Sequence, residues 1–323
     1  MAAVKLGLHS GSGRIYSGPT LVALDRDYFR DQGLEIEIVD AGGRRDVFPL
    51  FESGELDVCP QGMSLEFVQA FDPERPLIMA ADHGSAGGGA GGIVARPQLI
   101  DSGRLRDYAD LKGLRIGVSP IRGDHDWRTF GAALKKGGLT FDDVEVVISD
   151  FGGGRHQALA DGRLDLTTVG RPSSIVEGRE TGAFVVWRRG SDVEPGPRQG
   201  RTVMFSHGFW SQRPDDARRY LVAHLQAVRD YHNAYVHGIG RDAMVDLIAQ
   251  QCSEPRATVE ASAPTPLNPD GYVDAKSIEE DLEWYAEQGV LPKPVPVDRV
   301  VNHTFLEKAL AEVGRYQPPA GVR

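Results

Sequence analysis

The stretch Ser53-Gly-Glu-Leu-Asp-Val-Cys-Pro-Gln-Gly62 returns 108 residues later as Asp161-Gly-Arg-Leu-Asp-Leu-Thr-Thr-Val-Gly170. Gly54, Leu56, Asp57 and Gly62 are matched by Gly162, Leu164, Asp165 and Gly170. In each copy a glycine closes a helix, a short apolar run follows as a buried strand, and a second glycine turns the chain into another helix. The flanks agree: 33–39 and 143–148 both read as strands. His9-Ser-Gly-Ser-Gly13 and Ser119-Pro-Ile-Arg-Gly123 both stand between an apolar run and a helix. His83-Gly-Ser85 and Arg189-Gly-Ser191 both close apolar runs. A βαβαβ plan written twice constrains the chain to two similar α/β lobes facing one another across a cleft.

Length permits this, since 323 residues suffice for two lobes with separate cores. A net charge of −10, with no basic run, excludes a nucleic-acid surface. It does not exclude an anionic ligand, because local charge in a cleft decides that. Two cysteines, Cys59 and Cys252, form neither a disulfide framework nor a metal-site spacing. No metal and no cofactor are expected, with a metal site at His9, His83 and His125 as an alternative whose spacing supports no particular geometry. The first residues run directly into a strand, with no basic and apolar leader and no span able to cross a bilayer. The expected location is therefore the cytoplasm, or the periplasm or exterior if the sequence is a processed form.

Along the chain, strands are expected at 4–8, 34–39, 56–59, 77–81 and 93–95, with helices between them. The second half continues with strands near 114–119, 144–148, 164–169 and 183–187, and 191–199 reads as a Pro/Gly loop. A strand at 202–206 returns the chain to the first lobe, and 214–236 is one long amphipathic helix. The lobes are expected at 1–92 plus 204–323 and at 93–203, hinged near 91–94 and 201–205. The Gly-dense run 84–92 is either a surface loop or a backbone-lined hinge. It is no nucleotide fingerprint, because a strand rather than a helix follows it.

Several segments carry a resemblance when taken in order. They are Gly33-Leu-Glu-Ile-Glu-Ile-Val39, Ser53-Gly-Glu-Leu-Asp-Val58, Asp110-Leu-Lys-Gly-Leu-Arg-Ile-Gly-Val118 and Gly289-Val-Leu-Pro292 with Phe305-Leu-Glu-Lys-Ala-Leu310. Over nearly the whole chain they resemble the solute-binding superfamily of the nitrate/sulfonate/taurine and NMT1/THI5-like type. The resemblance implies an α/β clam shell of the type II periplasmic-binding-protein fold, two βαβαβ lobes joined by a two-strand hinge. It also implies a small, often anionic or heteroaromatic ligand. Most such proteins serve ABC importers, and a minority are cytoplasmic enzymes, among them an aromatic sulfinate desulfinase and decarboxylases. The desulfinase's Cys-bearing N-terminal loop has no counterpart here, where that loop carries Ser12 and Tyr16.

Ligands of open α/β sheets sit beyond the carboxyl ends of the strands. That rule nominates His9, Ser10, Ser12, Tyr16, Gln61 and Ser64 from the first lobe, and Arg122, Asp124, Arg171 and Ser173 from the second. Arginines and helix N-termini suit carboxylate, sulfonate or sulfinate oxygens, and Tyr16 and Trp127 are rings able to stack. Each arginine has a solvated-surface alternative, and Trp127 a core one. Cys59, His83 and His125 would be the catalytic set if the protein is an enzyme; otherwise Cys59 is a small buried hydrophobe and the histidines are loop residues. The other histidines fall on elements read as remote from the cleft. Two readings lead: an ABC-transporter-like binding protein, with a permease as partner only if an export signal was removed, or a cytoplasmic decarboxylase/desulfinase-type lyase or hydrolase acting on an aromatic acid. A third, a cytoplasmic ligand sensor whose lobes close to signal to a partner, has no specific residue behind it. Nucleic acid and membrane insertion are not expected.

Overall fold

The written repeat is also a folded one. The computed structural model describes residues 3–9, 11–42, 47–86, 92–120, 125–149, 154–169, 178, 180–194, 198–261, 266–291 and 295–321. The first sheet takes β1 (Val4–Leu8), β2 (Ile36–Asp40), β3 (Val58–Gln61), β4 (Ile78–Ala86) and, from far along the chain, β10 (Arg198–Phe205). The second takes β5 (Gly92–Ala95), β6 (Arg115–Val118), β7 (Glu145–Ile148), β8 (Leu166–Val169) and β9 (Val185–Arg189). Their orders, β2-β1-β3-β10-β4 and β7-β6-β8-β5-β9, are one topology used twice. In each sheet the strand in the fourth place, β10 or β5, runs antiparallel to both neighbours. These two strands carry the chain between the two lobes.

The repeated aspartate has a physical reason. Asp57 and Asp165 each stand just ahead of a buried strand, where an N–H at the start of the neighbouring parallel strand needs an acceptor. Lys5 N–H donates to Asp57 Oδ2 at 3.0 Å, and Arg115 N–H to Asp165 Oδ2 at 2.9 Å. The backbone returns both bonds, Asp57 N–H to Lys5 O and Asp165 N–H to Arg115 O, each at 2.9 Å. The preceding Gly54 and Gly162 sit at φ +76° and +70°, the left-handed conformation that ends a helix and that glycine adopts without strain.

Six helices frame the two sheets and the contacts between the lobes: α1 (Gly18–Asp25), α2 (Leu65–Gln69), α3 (His125–Lys136), α4 (Gly154–Ala160), α5 (Pro214–His237) and α6 (Ala275–Glu287). The two faces of the first sheet have separate cores. Val4, Leu6, Val58 and Ile78 pack with α1 and α5 on one face; Leu56, Cys59, Met79 and Met204 pack with α6 on the other. In the second lobe, α3 supplies Trp127, Phe130 and Leu134 to one core, and α4 supplies Ala158 and Leu159 to another. Among the described residues no helix is long and apolar enough to cross a membrane.

The structure departs from the sequence reading where β4 ends and β10 begins. β4 runs on to Ala86 instead of stopping at 81, and β10 begins at Arg198, within the stretch read as a loop. The two strands lengthen each other, since their ladder pairs Arg198 with Ala86 and Phe205 with Ile78. A short helix, Gly190–Val193, also occupies part of that loop. Most of the Gly-dense run lies outside the described residues.

Candidate functional site

The carboxyl ends of β1 and β3 and the far end of β4 meet the beginning of β10 at one edge of the first sheet. In the β4–β10 ladder Arg201 faces Gly84, while the next residue, Thr202, faces Asp82. His83 is the extra residue of a β-bulge, a device that re-aims a side chain and breaks regular pairing. It is therefore in a strand and fully buried, not in a loop as the sequence suggested. Its ring stacks on His224 of α5, with centroids 5.4 Å apart and planes 21° from parallel. His224 donates from Nε2 to Asp82 O at 2.8 Å, which fixes the His224 ring. Among the described residues neither ring nitrogen of His83 has a hydrogen-bond partner.

Arg201 lies beside this pair. Its guanidinium carbon stands 4.6 Å from the centre of the Tyr16 ring, a cation–π contact between β10 and the segment Gly11–Ser17 ahead of α1. The strand bearing it is firmly held. Gln199 donates to Asp82 Oδ1 at 2.6 Å and to Arg201 O at 2.7 Å, and accepts from Asp274 N–H at 2.8 Å. Burial, then His224, Arg201 and His9, hold the pKa of His83 well below its ordinary 6.5. Burial takes His224 down to about 4, against the bond to Asp82. The edge therefore holds the Arg201 guanidinium near a neutral His83 that stacks on a neutral His224.

These two imidazoles make stability depend on pH. The unfolded chain protonates both histidines near pH 6.5, whereas the folded protein keeps His224 neutral to about 4. The unfolded state thus binds more protons in that window, so stability is full above pH 6.5 and falls as pH drops toward 4. For His224 alone the loss amounts to roughly 3 kcal/mol at 1.36 kcal/mol per pKa unit. Urea unfolding of wild type and His224→Phe from pH 7 to 4 should show a shallower acid decline in the variant. Parallel curves would contradict the assignment.

The other nominated residues are spread around and beyond this edge. His9 directly follows β1 and is buried, donating from Nδ1 to Gly42 O at 3.4 Å. Gln61 is buried, its Oε1 accepting from Gly62 N–H at 2.9 Å. Ser64 caps α2, its Oγ accepting from Phe67 N–H at 3.3 Å. Ser12 falls within Gly11–Ser17, its side chain outside the described ones; Ser10, Arg122, Asp124, Arg171 and Ser173 lie outside the described residues altogether. Trp127 is core, 7% exposed, its indole N–H donating to Ser119 O at 2.8 Å. His125 is exposed at the start of α3 in the second lobe. Cys59 is fully buried against Gly7, and burial pushes its thiol up to about 12, so it holds almost no thiolate at neutral pH. A thiol reagent at pH 8 should leave Cys59 unmodified in the folded protein and label it in urea; rapid labelling of native Cys59 would refute its core placement.

Two groups at this edge are not among the residues nominated from the sequence. Arg201 falls there in the expected hinge, and His224 on a helix expected to be remote from the cleft; the first stands on the site and the second beneath it. Among the described residues no three His, Cys, Asp or Glu side chains form a metal-binding cluster.

Two sheets of one topology, exchanging strands at the fourth place, define the two-lobed binding-protein fold. The chain belongs to the NMT1/THI5-like family, whose profile matches residues 14–234. Among solved structures, a putative periplasmic sulfonate-binding protein of a sulfonate ABC transporter from Methylobacillus flagellatus KT superposes with a TM-score of 0.75 at 19% identity, over 99% of this chain and 98% of that one. The periplasmic nitrate-binding protein NrtA from Synechocystis PCC 6803 gives 0.70 at 13% identity, over 97% and 89%. The desulfurization enzyme DszB gives 0.68 at 18% identity, over 97% and 100%. At these identities the likeness is one of fold. No curated protein matches the chain in sequence.

Proposed function

We propose that the protein binds a small anionic or aromatic molecule, of the carboxylate, sulfonate or sulfinate type, between its two lobes. Its role would be that of an ABC-transporter-like substrate-binding protein. The lobes are those built on the two sheets, with β10 assigned to the first from Arg198 onward. The observation that carries the reading is Arg201, a half-buried guanidinium lying on the Tyr16 ring beside neutral His83 at the carboxyl edge of the sheet. A guanidinium offers planar, bidentate donors to an oxyanion, and the tyrosine ring it lies on is a face for an aromatic tail. Proteins of the same fold include a putative sulfonate transporter's periplasmic sulfonate-binding protein and a nitrate-binding protein. In this role the partner is a membrane permease and the place of action the periplasm or exterior.

The enzymatic reading, a decarboxylase or desulfinase, draws on the shared fold of DszB and on the neutral imidazole of His83. Against it stands Cys59, whose buried thiol is a poor nucleophile. Calorimetric titration with nitrate, methanesulfonate, benzenesulfonate, benzenesulfinate and benzoate tests the proposal. One-to-one saturation by at least one anion, competed by its analogues, is the expected result; saturation by none overturns it.

A further inference from the structure

Away from the ligand edge, one helix reaches from the first lobe to the second. Ile278, Leu282 and Tyr285 of α6 are buried in the first lobe's core. Asp281 and Trp284 of the same helix meet α3. Asp281 is paired with Arg128 of α3 and, at 3.0 Å, with Arg198 at the start of β10. Arg128 is also held by Glu194 at 3.0 Å, and Arg198 by Glu280 at 2.7 Å. The charges alternate along one chain: Glu194, Arg128, Asp281, Arg198, Glu280. Its three inner side chains are sheltered, 14%, 15% and 18% exposed in that order.

One turn along both helices the contact becomes apolar. Trp284 seats on Gly131, where a Cβ would lie 2.8 Å from Trp284 Cη2 and 3.6 Å from the ring of Phe141. Only a glycine there lets the indole approach the helix so closely. Residues three apart on a helix share a face, so the 128/131 pair on α3 meets the 281/284 pair on α6 in register.

We propose that this ion chain and the indole seat form an inter-lobe latch that sets the angle between the lobes. The inference rests on the two-lobed fold, not on the identity of any ligand. A change of lobe angle must either carry α6 along with the second lobe or separate Asp281 from Arg128 and lift Trp284 off Gly131. Separation leaves a sheltered carboxylate with one of its two cations, which is costly where water has little access. Arg198 and Arg201 stand on the same strand, so the position of the latch and the position of the ligand-side cation are mechanically joined through β10.

Pulsed electron paramagnetic resonance on the full chain tests this without a ligand. Spin labels would be placed at Glu52→Cys in the first lobe and Glu145→Cys in the second, with Cys252→Ser to remove the half-exposed native thiol. The intact latch should give one narrow distance distribution. Asp281→Asn, which keeps shape and loses charge, and Trp284→Ala should each broaden it or add a second distance. Sodium chloride at about 1 M, where screening acts within about 3 Å, should move the intact protein in the same direction but less. Gly131→Leu would displace the indole outright; should it fail to fold, the other two variants still decide. A distribution unchanged by Asp281→Asn, Trp284→Ala and salt overturns the latch, while leaving the ligand proposal where it stood.

Discussion

Arg155→Leu should lower the free energy of unfolding by about 3–5 kcal/mol, because it strips a buried carboxylate of its cation. Arg155 lies on α4 and Asp126 on α3, and their side chains are 4% and 0% exposed. Arg155 Nη2 donates to Asp126 Oδ2 at 2.9 Å and to Ser149 O at 2.7 Å. Asp126 Oδ2 also accepts Ser119 N–H at 2.7 Å, and its Oδ1 accepts Trp127 N–H at 2.9 Å. One ion pair therefore joins the ends of β6 and β7 to the starts of α3 and α4. Without the guanidinium, Asp126 keeps those backbone donors but loses its counter-charge in a dry site. The double variant Asp126→Asn/Arg155→Leu removes both charges and should recover part of the loss. Urea unfolding at pH 7 measures this; a loss below about 1 kcal/mol in Arg155→Leu would show that the pair is not buried as described.

Arg201→Ala should weaken the bound anion by about 10- to 100-fold, corresponding to the roughly 1.5–3 kcal/mol of a hydrogen bond to a charged group. Arg201→Lys keeps the charge but loses the planar fork and the flat contact with Tyr16, so an intermediate loss is expected. Tyr16→Phe keeps the ring face under the guanidinium and should cost little, whereas Tyr16→Ala removes the cation–π contact, about 0.5–2 kcal/mol. The ordering of the four variants distinguishes a positioned guanidinium from a general electrostatic effect, which would spare Arg201→Lys. Equal affinity for wild type and Arg201→Ala would remove Arg201 from the site.

Much of the architecture is legible because the chain repeats itself. The 108-residue offset between the glycine-aspartate copies maps Val58 onto Leu166, the first residues of β3 and β8. The long helix is equally plain, since Tyr220, Leu221, Leu225 and Val228 recur at helical spacing and are all buried. The site is harder. His83 owes its burial to a bulge, and a bulge depends on the partner strand's register, which local sequence does not display. The start of β10 has the composition of a loop because its pairing with 82–86 is tertiary, not propensity-driven. Two signals do point to the missing groups. A strand entering a sheet antiparallel must begin at the carboxyl edge of its neighbours, which places Arg201 beside the ends of β3 and β4. His224 falls four residues from both Tyr220 and Val228, on the apolar stripe, where a histidine has to find a buried partner.

Whether this edge holds an anion without transforming it is decided by native mass spectrometry. The full-length protein would be incubated with the carboxylate, sulfonate and sulfinate panel, and both retained ligand and new products followed. One unchanged ligand per chain is expected, greatly diminished in Arg201→Ala. Consumption of any panel member beyond one equivalent, with sulfite or carbon dioxide released, would contradict the binding role and make the protein an enzyme.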